Sequence, residues 1–370
     1  MRVSPDNALK LLVRLLRRDS AGVRRCVETT PDALDELASI AADRGLAVVL
    51  LRSLADSALM EGVSADHRRT LLARAELQST RCTVLEEGLE RVAALFAAAD
   101  LPFVLLKGPY LAARFYGDPR GREFRDLDLL VRRADRPRAF GILSRAGYAR
   151  RSRILGSEAL TAFFVHGFDY VAGGVNLDLH WCICRHPSLR LDEAALWKRK
   201  KTFRLNGRAY SVLSEEDEVR LQVLALLRDI ERGRPQMKNF VDLVQIAAEL
   251  DPAMSWDSLF TAGRLDGTHG PLVNVLTLCV DVVDAWRFVP RLAATLKKHA
   301  ARRVGAPQPA IEPASRATRY ANRLWAARSY DSGLGEWLGW WALSLPFRRA
   351  AHGWPRPVPP RVRSAWRGPR

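Results

Sequence analysis

Leu101-Pro102-Phe103-Val104-Leu105-Leu106-Lys107-Gly108-Pro109 and, a short stretch later, Asp126-Leu127-Asp128-Leu129-Leu130-Val131 are the segments that decide the fold of this chain. The first run is apolar without a break until Lys107, which predicts a short strand buried on both faces. Tyr110–Tyr116 has helical spacing, and Gly117-Asp118-Pro119-Arg120-Gly121 is rich in turn residues. The second run predicts a strand over 126–131. Side chains alternate across a strand, so Asp126 and Asp128 point to one face and Leu127 and Leu129 to the other. Asn176-Leu177-Asp178-Leu179-His180-Trp181 repeats the pattern inside a third predicted strand, Val175–Ile183. If that strand lies beside the second, three carboxylates share one face.

Such carboxylates repel one another and lose hydration, and a bound divalent cation relieves both. Mg²⁺ takes hard oxygen ligands, often one or two carboxylates plus substrate phosphates. The pattern therefore predicts a Mg²⁺ site at Asp126, Asp128 and Asp178, with Mn²⁺ as the alternative ion; three acids suffice for two ions. The alternative is a strand end carrying solvated acids. Gly108 lets the backbone approach a phosphate, and the N-terminus of the helix after Pro109 favours its negative charge. Lys107 adds an ammonium. The alternative for this pair is an ordinary strand-to-helix turn with an exposed Lys.

Outward from these strands the pattern is helical. Residues 6–98 read as helices broken near Gly45, the last running from Ser64-Ala65-Asp66 to about Ala98 with Leu71, Leu72, Leu77, Val84, Leu85, Leu89, Val92 and Leu95 as its core face. Pro137–Ala146 reads as a helix ending at Gly147. Residues 214–250 read as helix, opened by a cap at Ser214 followed by Asp217 and Glu218, and 251–300 is also helical. The expected fold class is α+β: a small mixed β-sheet core at 99–205, an N-terminal helical region at 1–98, a C-terminal helical region at 206–300, and a basic, Trp-rich tail at 301–370.

Composition narrows the field. The chain has 370 residues, 48% hydrophobic and 27% charged, and no long uninterrupted apolar stretch. That excludes a fully disordered chain and argues against an integral membrane protein. The N-terminus lacks a secretory signal pattern, and a cytoplasmic protein is expected. The five Cys are irregularly spaced, as buried reduced thiols would be. The net charge of +17 invites a nucleic-acid reading. However, 50 of the 58 basic residues are Arg, as a GC-rich codon bias would give, and residues 301–370 hold 13 Arg against Glu312, Asp331 and Glu336. Most of the surplus therefore lies away from the acids. Trp337–Phe347 is apolar but too short to span a bilayer. Three readings fit the tail: packing on the core, peripheral contact of 337–370 with an anionic membrane, and nucleic-acid binding. Residues 355–370 are expected to be disordered.

Leu105-Leu106-Lys107-Gly108, Tyr116, Pro119, Arg122, Asp126–Val131, Gly147-Tyr148 and Leu177-Asp178-Leu179-His180-Trp181 together resemble a bacterial nucleotidyltransferase family in which LLKG…R…DIDLLV…GY…DLHW recurs. That family belongs to the polymerase-β-like superfamily. The resemblance is densest over 99–185 and looser at 213–218 and 238–243. It implies that Asp126, Asp128 and Asp178 bind Mg²⁺ and position a nucleoside triphosphate, ATP foremost. Lys107-Gly108 replaces the Gly-Ser usual after the superfamily's first strand. Arg122 matches a family Arg that meets a triphosphate oxygen or Asp126; Arg120 and Arg125 are neighbouring candidates. His180 orients the metal shell, moves a proton, or is a satisfied half-buried His. Lys238 and Asp242 form an i,i+4 helix pair or close over the nucleotide. The implied activity is Mg²⁺-dependent transfer of a nucleotidyl group to an acceptor hydroxyl or phosphate, on a small molecule, a peptide natural product or its precursor. The alternatives are a non-catalytic nucleotide-binding or scaffold protein and a nucleic-acid-modifying enzyme.

Overall fold

The computed structural model describes residues 5–30, 32–299, 309, 316–330 and 334–352. The chain opens with five helices: α1 Pro5–Leu16, α2 Ser20–Thr29, α3 Ala33–Arg44, α4 Ala47–Asp56 and α5 Ala65–Ala98. Strand β1 Phe103–Leu105, helix α6 Pro109–Tyr116, strand β2 Leu127–Val131 and helix α7 Arg136–Arg145 follow. Next come β3 Ala149–Arg150, α8 Glu158–Phe164, β4 Gly167–Ala172, β5 Val175–His180, α9 Glu193–Arg199, β6 Lys201–Leu205 and β7 Arg208–Val212. Helices α10 Glu215–Glu231, α11 Met237–Leu250, α12 Trp256–Asp266, α13 His269–Val283, α14 Pro290–Lys298, α15 Arg316–Ser329 and α16 Leu334–His352 complete the described chain.

The expected α+β class holds. One seven-stranded mixed sheet runs in the order β3-β4-β5-β2-β1-β7-β6. Strands β2 and β5 are parallel neighbours, while β1 pairs antiparallel with β2 and parallel with β7. Leu127, Leu129, Leu177, Leu179, Phe168 and Tyr170 share a core with Leu85, Leu89 and Phe96 of α5 and Leu143 of α7. The other sheet face, represented by Val104, Leu106 and Leu130, joins a second core with Leu224 and Leu227 of α10 and Phe240 and Leu243 of α11. That core also takes in Leu9 and Leu12 of α1 and Leu272 and Leu276 of α13. Since Asp128 alternates with Leu127 and Leu129, it lies on the face turned toward α10 and α11.

Several boundaries differ from expectation. Strand β2 begins at Leu127, leaving Asp126 in the bend before it, and β5 stops at His180. The helix expected over 214–250 is two helices, because Arg232-Gly233-Arg234-Pro235 interrupts it and proline cannot donate to a helical ladder. On α5 the buried stripe is Leu71, Gln78, Cys82, Leu85, Leu89, Val92 and Phe96. Leu72 and Leu77 lie off that stripe and are exposed, against expectation. In the tail, Trp340 packs on Phe163 and Phe164, and Phe347 stacks on Phe164 at 4.4 Å. This part of the tail packs on the core; residues 355–370 lie outside the described residues.

Candidate active site

Register across three neighbouring strands builds the centre of the site. Asp128 of β2 stands opposite Asp178 of β5, and Asp178 stands opposite Asp169 of β4. His180, two residues beyond Asp178, keeps the same face. Its Nε2 lies 3.0 Å from Asp128 Oδ1. Asp128, Asp178 and His180 each offer one ligand atom, all within 4.8 Å of one another, and so form a group that could hold a metal ion. Asp126 is not part of this close-set group, although its charge is felt by Asp178.

The electrostatics are those of an acidic cluster short of positive charge. Burial pushes Asp178 well above the ordinary carboxylate range, and Asp169, Asp128 and Asp126 push it further. Asp126 is raised by burial and by Asp128, against the pull of Lys238 and Lys107. Burial also acts to raise Asp128, but the His180 hydrogen bond and charge, with Lys107 and Arg228, bring it down to about 2. Of Asp126, Asp128 and Asp178, only Asp128 thus has a partner strong enough to outweigh its desolvation. A cation would do this for the others.

The loop before β2 is fixed from three sides. Gln78 of α5 donates to the Phe124 carbonyl at 3.0 Å, Glu123 Oε1 accepts from the Ala47 amide at 2.9 Å, and Lys238 Nζ of α11 lies 3.4 Å from the Glu123 carbonyl. Arg122 points inward. Its Nε and Nη2 donate to Asp242 Oδ1 and Oδ2 at 2.6 and 2.5 Å, and the Tyr116 hydroxyl donates to the same carboxylate at 2.7 Å. Arg122 and Asp242 are therefore partners of each other, and the expected Lys238–Asp242 helix pair gives way to this tertiary one. Arg120 is held by Glu86 at 3.0 Å, and Arg125 is exposed. Burial, with the Arg122 charge, lowers the Lys238 ammonium to about 8.

Lys107 and Gly108 occupy the turn from β1 into α6. Lys107 is half-buried, and its charge acts on Asp126, Asp128 and Glu218. Gly108 has φ 62° and ψ −127°, which side chains rarely adopt, and a Cβ there would lie 3.4 Å from the Asp126 carbonyl oxygen. Gly108→Ala is expected to cost about 1–3 kcal/mol. Thermal melts would check this, and an unchanged midpoint would show that the turn tolerates a side chain.

Four residues near the site were not assigned to it from the sequence. Asp169 lies on an unanticipated strand. His166 stacks on His180, and Arg228 of α10 donates to its Nε2 at 2.6 Å. Glu218, read only as part of a helix cap, is fully buried in α10 with Oε1 bonded by Gln222 at 2.7 Å and Oε2 without a hydrogen-bond partner. Burial raises its carboxyl to about 7. Between the ordinary carboxyl range and pH 7 the folded chain keeps a proton that the unfolded chain has released, so this group makes stability fall as pH rises through that window. Glu218→Gln is expected to stabilise the protein above pH 7 by on the order of 3 kcal/mol and to change little near pH 4. Urea midpoints at the two pH values measure the difference.

No curated protein matches the chain significantly. Among solved structures, the solution structure of the antibiotic-resistance factor ANT(2'')-Ia is similar over 60% of this chain and 99% of that one, at 13% identity and a TM-score of 0.35. The crystal structure of ANT(2'')-Ia in complex with adenylyl-2''-tobramycin covers the same shares at 15% identity and a TM-score of 0.29. An antigenic nucleotidyltransferase-like protein from Paracoccidioides brasiliensis is similar over 60% of this chain and 92% of that one, at 13% identity and a TM-score of 0.29. A family model is matched over residues 30–284, which include both parallel acidic strands, α10, α11 and all seven strands of the sheet: the chain belongs to the family of uncharacterised nucleotidyltransferases.

Proposed function

We propose that this nucleotidyltransferase uses a divalent cation, Mg²⁺ or Mn²⁺, to move a nucleotidyl group from a nucleoside triphosphate, ATP foremost, to an acceptor hydroxyl or phosphate. The acceptor is a small molecule or a peptide-derived natural product. The observation that carries the reading is the Asp128–Asp178 register on parallel strands with His180 beside them, whose ligand atoms lie within 4.8 Å of one another. An ion held by this group would neutralise phosphate charge and polarise the α-phosphorus. Asp126, outside the close-set group but with its charge acting on Asp178, would meet the same ion or a second one. Lys107, the Gly108 turn and the N-terminus of α6 bind the phosphates. Lys238, whose charge acts on Asp126, would meet the nucleotide. Arg122 and Asp242 shape the site from beneath. Catalysis is then chiefly positioning and charge neutralisation.

Calorimetry tests this reading. ATP is expected to bind in the presence of Mg²⁺ or Mn²⁺, to lose most of its affinity in excess EDTA, and to lose it again in Asp178→Asn. Binding indifferent to both the chelator and the substitution would refute the assignment.

The tail bears on a second partner. No helix among the described residues is long and apolar enough to cross a membrane. Leu343 of α16 and Phe163 of α8 are nonetheless exposed, which leaves peripheral contact through 337–370 as a secondary proposal.

A further inference from the structure

We propose that His180 Nε2 is itself a ligand of the cation, completing an Asp128–Asp178–His180 set, and that the site consequently takes Mn²⁺ in preference to Mg²⁺. The inference rests on the reading of this cluster as the metal site and deepens it, since it replaces an all-carboxylate set by a mixed one.

Three observations carry it. The first is that Nε2 is the ring atom turned toward Asp128, 3.0 Å from its Oδ1, and that a ring nitrogen of His180 and one oxygen each of Asp128 and Asp178 lie within 4.8 Å of one another. Bonds of about 2.1 Å place two ligands of one ion no more than roughly 4.2 Å apart, so small side-chain rotations bring all three into one shell. Asp126, which the sequence pattern would put there, precedes β2 and stands outside this group.

The second observation is that the ring is held in place. His166 stacks on it at 5.3 Å between centroids with the planes 21° apart. On the neighbouring strand Gly167 pairs with His180, and a Cβ on Gly167 would sit 2.9 Å from His180 Nδ1 and 2.9 Å from the Leu179 carbonyl. Glycine here supplies space for the imidazole rather than an unusual backbone angle. Arg228 donates to His166 Nε2 at 2.6 Å, which fixes the stacking ring in turn. His180 is buried, so little freedom remains for Nε2 to turn elsewhere.

The third is chemical. Mg²⁺ is a hard ion that prefers an all-oxygen shell. Imidazole nitrogen favours first-row transition ions, and among these Mn²⁺ keeps the preference for carboxylate and phosphate oxygen that this site also needs.

Metal affinity alone does not separate a ligand from a hydrogen-bonding neighbour of a ligand, because loss of the latter also costs about 10–100-fold. Pulsed electron paramagnetic resonance on the full-length, Mn²⁺-loaded protein does. The expected result is nitrogen modulation of the Mn²⁺ echo typical of a directly bound imidazole. It should change to the ¹⁵N pattern in protein grown with ¹⁵N-histidine, disappear in His180→Asn, weaken in Gly167→Ala and persist in His166→Asn. The ¹⁵N comparison needs no substitution and so stands even if a variant fails to fold. Bound Mn²⁺ without nitrogen coupling, or no Mn²⁺ binding at all, would overturn the proposal. In competition, Mn²⁺ is expected to bind at least about tenfold more tightly than Mg²⁺, with the ratio narrowing in His180→Asn; equal affinities would overturn the preference. Nitrogen coupling without any nucleotidyl transfer would count against the proposed activity and leave this ligand assignment standing. Carboxylate-dependent transfer without nitrogen coupling would do the reverse.

Discussion

Asp178→Asn is expected to lower nucleotide transfer by about a thousandfold or more and, in the presence of a chelator, to raise the thermal midpoint. The two effects have one cause. Asp178 sits on a central strand, largely removed from water, with Asp128 on one side and Asp169 on the other. Burial first, and then these neighbours, push its carboxyl well above the ordinary range. Such a group makes stability fall as pH rises through the window above the usual carboxylate value, because the folded state holds a proton that the unfolded state gives up. An amide of the same shape removes that cost. It also removes the charge needed to hold a cation, and losing a group that stabilises developing charge costs about 10²–10³-fold even where no metal is involved. Turnover and melts at pH 5 and pH 8 read both effects, with the larger gain in midpoint at pH 8. Asp128→Asn should impair transfer equally but lower the midpoint. Its carboxyl is held near 2 despite burial, chiefly by His180, and that depressed value contributes stability which is lost only as pH falls toward 2. Retained transfer in either variant would sink the proposed chemistry.

The second large effect is on folding. Arg122 and Asp242 are 4% and 0% exposed, and they are joined by two short hydrogen bonds across 120 residues of chain. Removing one partner leaves the other charge buried and unpaired. Arg122→Ala and Asp242→Ala are each expected to lose about 3–5 kcal/mol, while a double replacement by apolar residues of similar volume should recover much of it. Denaturant titrations of the single and double variants check this. The pair anchors the loop that leads into β2, so the single variants will also lose activity. The double variant separates the roles. With Arg122 acting as a positioning residue, its KM for the triphosphate should stay within about threefold of the parent. A rise of a hundredfold would return Arg122 to the phosphates.

Much of this site was legible before the fold was known. The alternation in Leu127–Val131 and Asn176–Trp181 assigned Asp128 and Asp178 to a strand face, whereas Asp126, expected beside them, lies in the bend before β2; the uninterrupted run before Lys107 marked a strand that only a sheet interior accommodates. That β2 and β5 are neighbours is a non-local fact; composition and spacing do not contain it, and a family resemblance had to supply the expectation. Other signals were present but weak. Gly167-Phe168-Asp169-Tyr170 alternates as β4 requires, with Phe168 and Tyr170 buried and Asp169 on the acid face, yet the run is short. Asn206-Gly207 between β6 and β7 is a common two-residue hairpin signal, and both residues adopt positive φ, 48° and 79°. The Arg122–Asp242 pair had no local signature at all. Asp242 was read against Lys238 because i,i+4 spacing is visible along a helix, whereas a partner on a distant loop is not.

The central claim is that the acid row on β2 and β5 serves transfer of a nucleotidyl group. Incubation of the protein with ATP labelled at either the α- or the γ-phosphorus, with Mn²⁺ or Mg²⁺ and a pool of small-molecule and peptide acceptors, tests it most directly. The account predicts that the α-label moves to an acceptor with release of unlabelled pyrophosphate, that the γ-label leaves in pyrophosphate, and that neither moves in Asp178→Asn. Transfer of the γ-label to the acceptor would contradict it.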